Sequence, residues 1–336
     1  MSSTTLLQQL RELSAVDCDT FDVEVAKSYG PFHDCTSNQA IALSELAKTT
    51  AGGELVHGQL IKDSLRDAHW MLARQSDATL EELAVEFSMV RLALAIAPEL
   101  TGFSHIQTNP RWSYDTDKTI KNAERIVSMF KHVAPSYDTK RVCVKIPATW
   151  EGLQACRELE KRGVATLATT MFSMAQAALA AAVNCTYIAP YVNELKVHFE
   201  KGYVDQNKAF AFCAAAQRYY QSIGARTKVL PASLTTIDEA LALAGVDHIT
   251  ISPPLLAQLS STSCEDYRGE IGSAMRATEA NVEEDFAPIL GDESAWRLAF
   301  TRSGRGTSEG KIIQAINIFY EMQVELEVMI KKHSTI

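Results

Sequence analysis

Short apolar runs that alternate every second residue take turns along this chain with longer runs at helical spacing. Val142, Val144 and Ile146 alternate within RVCVKIPA (141–148) and predict a short buried strand. Further strand-like runs are VDCDTFDVEV (16–25), SHIQT (104–108), ATLATTM (165–171), TYIAPYV (186–192), TKVLPAS (227–233) and DHITISPP (247–254). Helical patterns lie between them. A helix precedes the first strand, and QAIALSELAKT (39–49) and EELAVEFSMVRLALAIAPEL (81–100) follow it. In TDKTIKNAERIVSMFKHV (116–133), Ile120, Ala123, Ile126, Val127 and Phe130 recur on one face. EGLQACRELEKRG (151–163) reads as a helix closed by glycine, and SMAQAALAAAV (173–183) and TTIDEALALAG (235–245) continue the series.

The order is a repeated strand–helix unit with about eight strand candidates, which implies parallel strands. A doubly wound sheet and an eight-stranded barrel both satisfy it. The length of 336 residues and the absence of a GxGxxG phrase favour the barrel. The expectation is therefore α/β: a single (β/α)8 TIM barrel over 1–336, with additional N- and C-terminal helices. The last segment, KIIQAINIFYEMQVELEVMIKK (311–332), is a long amphipathic helix. It can pack on its own barrel, the simpler expectation, or meet a second copy in a homodimer.

Composition narrows the function. A net charge of −9 argues against broad nucleic-acid binding, although a pocket can still hold a local cluster of the opposite sign. No run of 18 apolar residues is present, so no spanning helix is expected, and MSSTTLLQQLRELS is too polar for a signal peptide. Seven scattered cysteines without a CxxC read as reduced thiols of a cytoplasmic protein. HExxH, Walker and dinucleotide phrases are absent, and neither a metal nor a cofactor is expected. The glycine-rich TRSGRGTSEG (301–310) lacks the order of a phosphate loop and reads as a join between two helices.

One residue breaks the apolar pattern at a cost. Lys145 stands inside the buried strand, where an ammonium must be paired or lose its charge. A neutral lysine amine attacks carbonyls. Asp19, Asn38, Gln107 and Thr169 also interrupt apolar runs, and Tyr191 sits near a further strand end. In a barrel such residues gather around one pocket at the carboxyl ends of the strands. The chemistry they permit is Schiff-base formation on a ketone, with Asp19 as the acid/base and Thr169, Gln107 and Tyr191 holding a water or hydroxyl. Asn38 can donate to a substrate oxygen. Each has a plain structural reading as well. Lys145 can snorkel to water, Asp19 can form a turn, and Asn38 can cap the following helix. Thr169 is a natural strand residue, and Tyr191 can be a core aromatic.

At these residues the chain resembles the transaldolase family. KIPATWEGLQACRELEKRG is similar to the family's lysine segment. DTFD (19–22), TSN (36–38), RWSYD (111–115), TMFSMAQA (170–177), IAPYV (188–192) and ITISPPLL (249–256) follow in family order. The resemblance implies an eight-stranded barrel that moves a dihydroxyacetone unit between sugar phosphates without a cofactor. It implies Lys145 as the Schiff-base lysine, Asp19 as the carboxylate for the C4 hydroxyl, Asn38 as a donor contact and Thr169 as the water holder. Small-molecule ketones and aldehydes are the implied partners.

Five positions depart from the pattern. Gln107 stands where the family has a glutamate, and Ala189-Pro190-Tyr191 replaces Ser-Pro-Phe. The pair Gln107 and Tyr191 is similar to the fructose 6-phosphate aldolase branch. Glu194 and Thr235 occupy the substrate-binding places of two phosphate-holding arginines. The expectation is a lysine-dependent aldolase with a non-phosphorylated or atypical acceptor, with Lys196, Arg226 and Arg305 as cations that would serve a phosphate instead. The alternatives are a classical transaldolase, passing dihydroxyacetone between sedoheptulose 7-phosphate and glyceraldehyde 3-phosphate, and a catalytically inactive binding protein.

Overall fold

The computed structural model describes residues 4–74, 77–277 and 285–334; the first three residues of the polar N-terminus lie outside them. Eight parallel strands form one sheet: β1 Ala15–Asp19, β2 Cys35–Thr36, β3 Ser104–Gln107, β4 Val142–Pro147, β5 Ala165–Met171, β6 Tyr187–Pro190, β7 Lys228–Val229 and β8 His248–Ile251. Neighbours run β7-β6-β5-β4-β3-β2-β1-β8. The remaining seam between β7 and β8 is bridged by the Thr250 amide donating to the Pro231 carbonyl at 3.4 Å, and by the Val229 amide donating to Asp247 Oδ2 at 3.0 Å. The fold is a (β/α)8 TIM barrel.

The helices before and around the strands are α1 Leu6–Leu13, α2 Val23–Tyr29, α3 Gln39–Leu46, α4 Gly58–Leu72, α5 Leu80–Ile96, α6 Thr116–Val133, α7 Trp150–Lys161, α8 Met174–Ala182, α9 Phe210–Ser222, α10 Ile237–Ala242 and α11 Pro253–Ser261. Their inner faces and the outward strand residues form the main core. The α6 stripe buries Ile120, Ala123, Ile126 and Phe130, and Val127 is partly covered. Two later helices, Glu293–Arg302 and Thr307–Ser334, are joined by the turn Ser303–Gly306, as the 301–310 phrase predicts. The C-terminal helix Thr307–Ser334 lies against α3 and α5. Its Phe319 is fully buried at the carboxyl end of the barrel. The cysteines are free thiols, six of them buried.

Several boundaries differ from the pattern. VDCDTFDVEV does not continue as a strand, because Asp22 turns the chain into α2 by accepting from the Glu24 and Val25 amides at 2.9 and 3.4 Å. Strand β2 is two residues long, too short to show a period, and the pattern passes over it. The structure adds helices α4 and α9 to the predicted series. Strand β7 keeps only Lys228–Val229 of the predicted 227–233.

Strand β5 carries the backbone feature that matters for the site. Thr170 has φ 56, and the register between β5 and β6 shifts between Ala168 and Met171. A β-branched residue at positive φ is strained. The bulge re-aims the strand end that carries Thr169.

Candidate active site

A cavity of about 470 Å³ opens at the carboxyl ends of the strands. Of the residues singled out in the sequence, Asp19, Asn38, Lys145 and Tyr191 line it. Gln107 and Thr169 lie on the strands flanking Lys145. Gln107 is paired in register with Lys145, and Thr169 with Pro147.

Lys145 is 2% exposed, and burial pushes its ammonium below the ordinary value of 10.5, with the Asp19 carboxylate opposing. Among the described residues it forms no ion pair within 4.0 Å. It is thus held toward the neutral, nucleophilic form. Asp19 accepts from Thr36 Oγ1 at 2.6 Å, and the Thr36 hydroxyl lies 2.6 Å from that of Thr250. This hydroxyl chain fixes one Asp19 oxygen. Asn38 caps α3 by accepting from the Ile41 amide at 3.0 Å while it lines the cavity, so the capping and site readings describe the same residue.

Gln107 is the unsatisfied member of the group. It is 1% exposed, and among the described residues neither its Oε1 nor its Nε2 has a hydrogen-bond partner. A buried amide left open is costly and marks a place for a ligand or solvent hydroxyl. Tyr191 is buried, with its hydroxyl 3.5 Å from Thr169 Oγ1, and burial pushes its phenol upward. It stays a protonated donor across ordinary pH.

Glu194 and Thr235 are engaged away from this cavity. Glu194 accepts from the Tyr203 hydroxyl and from Gln314 Nε2 of the C-terminal helix, the latter at 3.0 Å. Thr235 is exposed and donates to Glu239 from its amide and hydroxyl at 2.7 and 2.9 Å. The three candidate cations are also elsewhere. Lys196 stacks over the Tyr203 ring at 4.0 Å. Arg226 donates to Glu160 and to the Asn184 carbonyl at 2.8 and 2.7 Å. Arg305 sits in the exposed turn after helix Glu293–Arg302.

Sequence reasoning missed other lining residues. His198 and Ser233 face the cavity and share a hydrogen bond of 3.0 Å. Lys48 lines it too, bound to Asp22 and Glu45 at 2.5 and 2.8 Å. No period marks a histidine at the end of the single 3-10 turn Leu195–His198, and an ion pair joining the start of α2 to the end of α3 has no local signature.

A second polar cluster lies lower in the barrel. Asp17, His33, Asp34 and His248 each bring one donor atom within 4.8 Å of the others. Hydrogen bonds already join Asp17 to His248 at 3.0 Å, and Asp34 to His33 and His105 at 2.9 Å each.

Comparison with known proteins agrees with this geometry. Residues 16–299 match the family model described as transaldolase/fructose-6-phosphate aldolase. A transaldolase of Alteromonas mediterranea is 30% identical over 336 residues, covering 97% of this chain and 98% of that protein. A transaldolase of Chlamydia pneumoniae is 30% identical over 319 residues, covering 93% of this chain and 91% of that protein. One of Methylococcus capsulatus is 32% identical over 276 residues, covering 78% and 79%. With the parallel barrel and the buried lysine on β4, these matches place the chain in the transaldolase/fructose-6-phosphate aldolase family.

Proposed function

We propose that this chain is a Schiff-base enzyme that passes a dihydroxyacetone unit from a ketose donor to an aldehyde. The observation that carries the reading is Lys145, buried, without an ion pair among the described residues, and shifted toward its neutral form on the wall of the cavity that Asp19 also lines. The Lys145 amine attacks the donor ketone. Loss of water from the carbinolamine gives an iminium, which draws electrons from the adjacent C–C bond. Asp19 takes the proton of the C4 hydroxyl as that bond breaks, and an enamine remains on Lys145. The enamine carbon then attacks the acceptor aldehyde, and Asp19 returns the proton to the new hydroxyl. Gln107, Thr169 and Tyr191 hold the water that enters and leaves the iminium; the open Gln107 amide and the 3.5 Å Thr169–Tyr191 approach support that role.

Transfer is the reading favoured by relatives named transaldolase over nearly the whole chain. A second reading, release of free dihydroxyacetone, is favoured by Gln107 and Tyr191 standing in place of glutamate and phenylalanine. In either case the acceptor is non-phosphorylated or atypical, because Glu194 and Thr235 replace the two arginines and are engaged elsewhere.

Product analysis with fructose 6-phosphate and with fructose as a phosphate-free donor, each alone, with erythrose 4-phosphate and with erythrose as a phosphate-free acceptor, separates the readings. Transfer gives new ketose only when an aldehyde is present. Release gives free dihydroxyacetone without one. No turnover of any ketose, together with no effect of Lys145→Ala on the chain's biological activity, would leave a non-enzymatic binding protein.

A further inference from the structure

We propose that the outer half of the cavity is an acceptor subsite for an uncharged aldehyde with an apolar substituent. Leu195, Phe199, Leu234 and Phe319 wall it, and the His198–Ser233 pair holds the polar end of the ligand. The inference rests on Lys145 carrying the donor, as proposed above, and adds the chemical class of the acceptor.

Space comes first. About 470 Å³ falls within the roughly 300–1,000 Å³ of pockets that enclose drug-sized ligands, and exceeds what a three-carbon donor needs. Charge comes second. Among the described residues the lining contains no arginine, and its basic residues are Lys48, Lys145 and His198. Lys145 is taken by the donor. Lys48 is already held between Asp22 and Glu45, one ammonium against two carboxylates. A phosphate reaching Lys48 meets both of those carboxylates, and like charges at such range repel strongly. His198 is exposed on the cavity wall and already engages Ser233 Oγ at 3.0 Å, and desolvation shifts its imidazole below the ordinary value, toward the uncharged form.

What remains is suited to a neutral, partly apolar molecule. Leu195 and Leu234 come from the segments after β6 and β7, and Phe319 from the C-terminal helix. Phe199 is 44% exposed at the mouth, an aromatic that an incoming apolar group can cover. His198 Nε2 and Ser233 Oγ lie 3.0 Å apart. Ser233 adopts φ 60, an uncommon conformation for a residue other than glycine, and such strain gathers at ligand sites.

The step balances within the residues named. A bond forms between the enamine carbon on Lys145 and the aldehyde carbon. The carbonyl π pair moves to oxygen, which takes a proton from Asp19. Water hydrolyses the iminium, returns the Lys145 amine and frees the product. No redox partner is required.

The test uses dihydroxyacetone as donor, with borohydride trapping at Lys145 as the control on each protein. kcat/KM is then compared for glyceraldehyde 3-phosphate, glyceraldehyde and 3-phenylpropanal, in the wild type and in Phe199→Ala and His198→Ala. The expected result is 3-phenylpropanal ahead of glyceraldehyde 3-phosphate by about tenfold or more, a margin that apolar pocket contacts supply. Phe199→Ala removes about tenfold of that preference. His198→Ala raises the acceptor KM and leaves kcat little changed. A preference for the phosphorylated aldehyde overturns the inference, as does an enzyme that traps the donor but consumes no uncharged aldehyde. Failure of trapping itself instead brings down the Schiff-base reading.

Discussion

At the amino end of the barrel, Asp34 accepts from His33, His105 and the Phe103 amide, while Asp17 accepts from His248 and the Asp34 amide. At the carboxyl end, Lys145 and Gln107 are just as buried, yet Lys145 has no ion-pair partner among the described residues and the Gln107 amide has no hydrogen-bond partner. Both ends place polar groups where a barrel usually packs branched apolar side chains. At one end most of the groups satisfy each other, with only His105 Nδ1 left buried and open among the described ring nitrogens and carboxylates of the cluster, and four hydrogen bonds hold Asp34 in place. At the other they are left open, and the fold is destabilised there so that something else can satisfy them.

The sharpest way to break this contrast is a pair of substitutions with opposite signs. Lys145→Met is expected to lower turnover by roughly a thousandfold or more, equivalent to about 4 kcal/mol of transition-state stabilisation. The same change should stabilise the fold. The folded state disfavours the charged lysine, so removing it raises the urea midpoint. A Lys145→Met protein less stable than the wild type would mean that the amine is paired after all.

Asp34→Asn should do the reverse. Burial alone raises the Asp34 carboxyl, but hydrogen bonds from His105 and His33 outweigh it and hold the carboxyl well below the usual range. Removing the charge costs about 3–5 kcal/mol of stability, read by urea unfolding, because His105 remains fully buried without it. Turnover per folded molecule should change little.

Tyr191→Phe sits between these extremes. It keeps the ring against Phe172 and removes the hydroxyl 3.5 Å from Thr169. The expected loss is about tenfold in kcat, with the ratio of released to transferred dihydroxyacetone falling. An unchanged product ratio would remove Tyr191 from the handling of water.

The smallest effects are pH dependences, and the two ends again differ in sign. Adduct formation at Lys145 should rise with pH and level off below 10.5, since burial lowers that ammonium. Stability from His33 runs the other way. Its hydrogen bond to Asp34 raises its pKa above 6.5, so that contribution is full below 6.5 and is lost as pH rises through the raised value. A His33→Gln protein should lose this pH dependence, measured as Tm between pH 5 and 8.

The candidate site at the carboxyl end was more legible in the sequence than the rest. Lys145, Asp19, Asn38 and Tyr191 interrupt regular apolar patterns at strand ends, and barrel geometry brings those ends together. The amino-end cluster was not legible. Asp17 and His248 are 231 positions apart, and each looks like an ordinary polar residue in its own strand. Glu194 and Thr235 were read from their places in the family pattern, and local folding decided where they point. Glu194 follows a turn pinned by Asp205 to its amide at 2.8 Å, and Thr235 turns to Glu239 at the start of α10. The two-residue strand β2 and the left-handed Thr170 depend on closure of the whole barrel, which no local window contains.

The central claim is that Lys145 is an open amine, shifted by burial toward its neutral form and poised for a ketone. Its most direct test is borohydride reduction of the full chain with dihydroxyacetone, followed by peptide mass mapping. The account predicts one reduced adduct, on the peptide carrying Lys145, abolished by Lys145→Met. No adduct, or an adduct spread over surface lysines and unchanged in Lys145→Met, would contradict it.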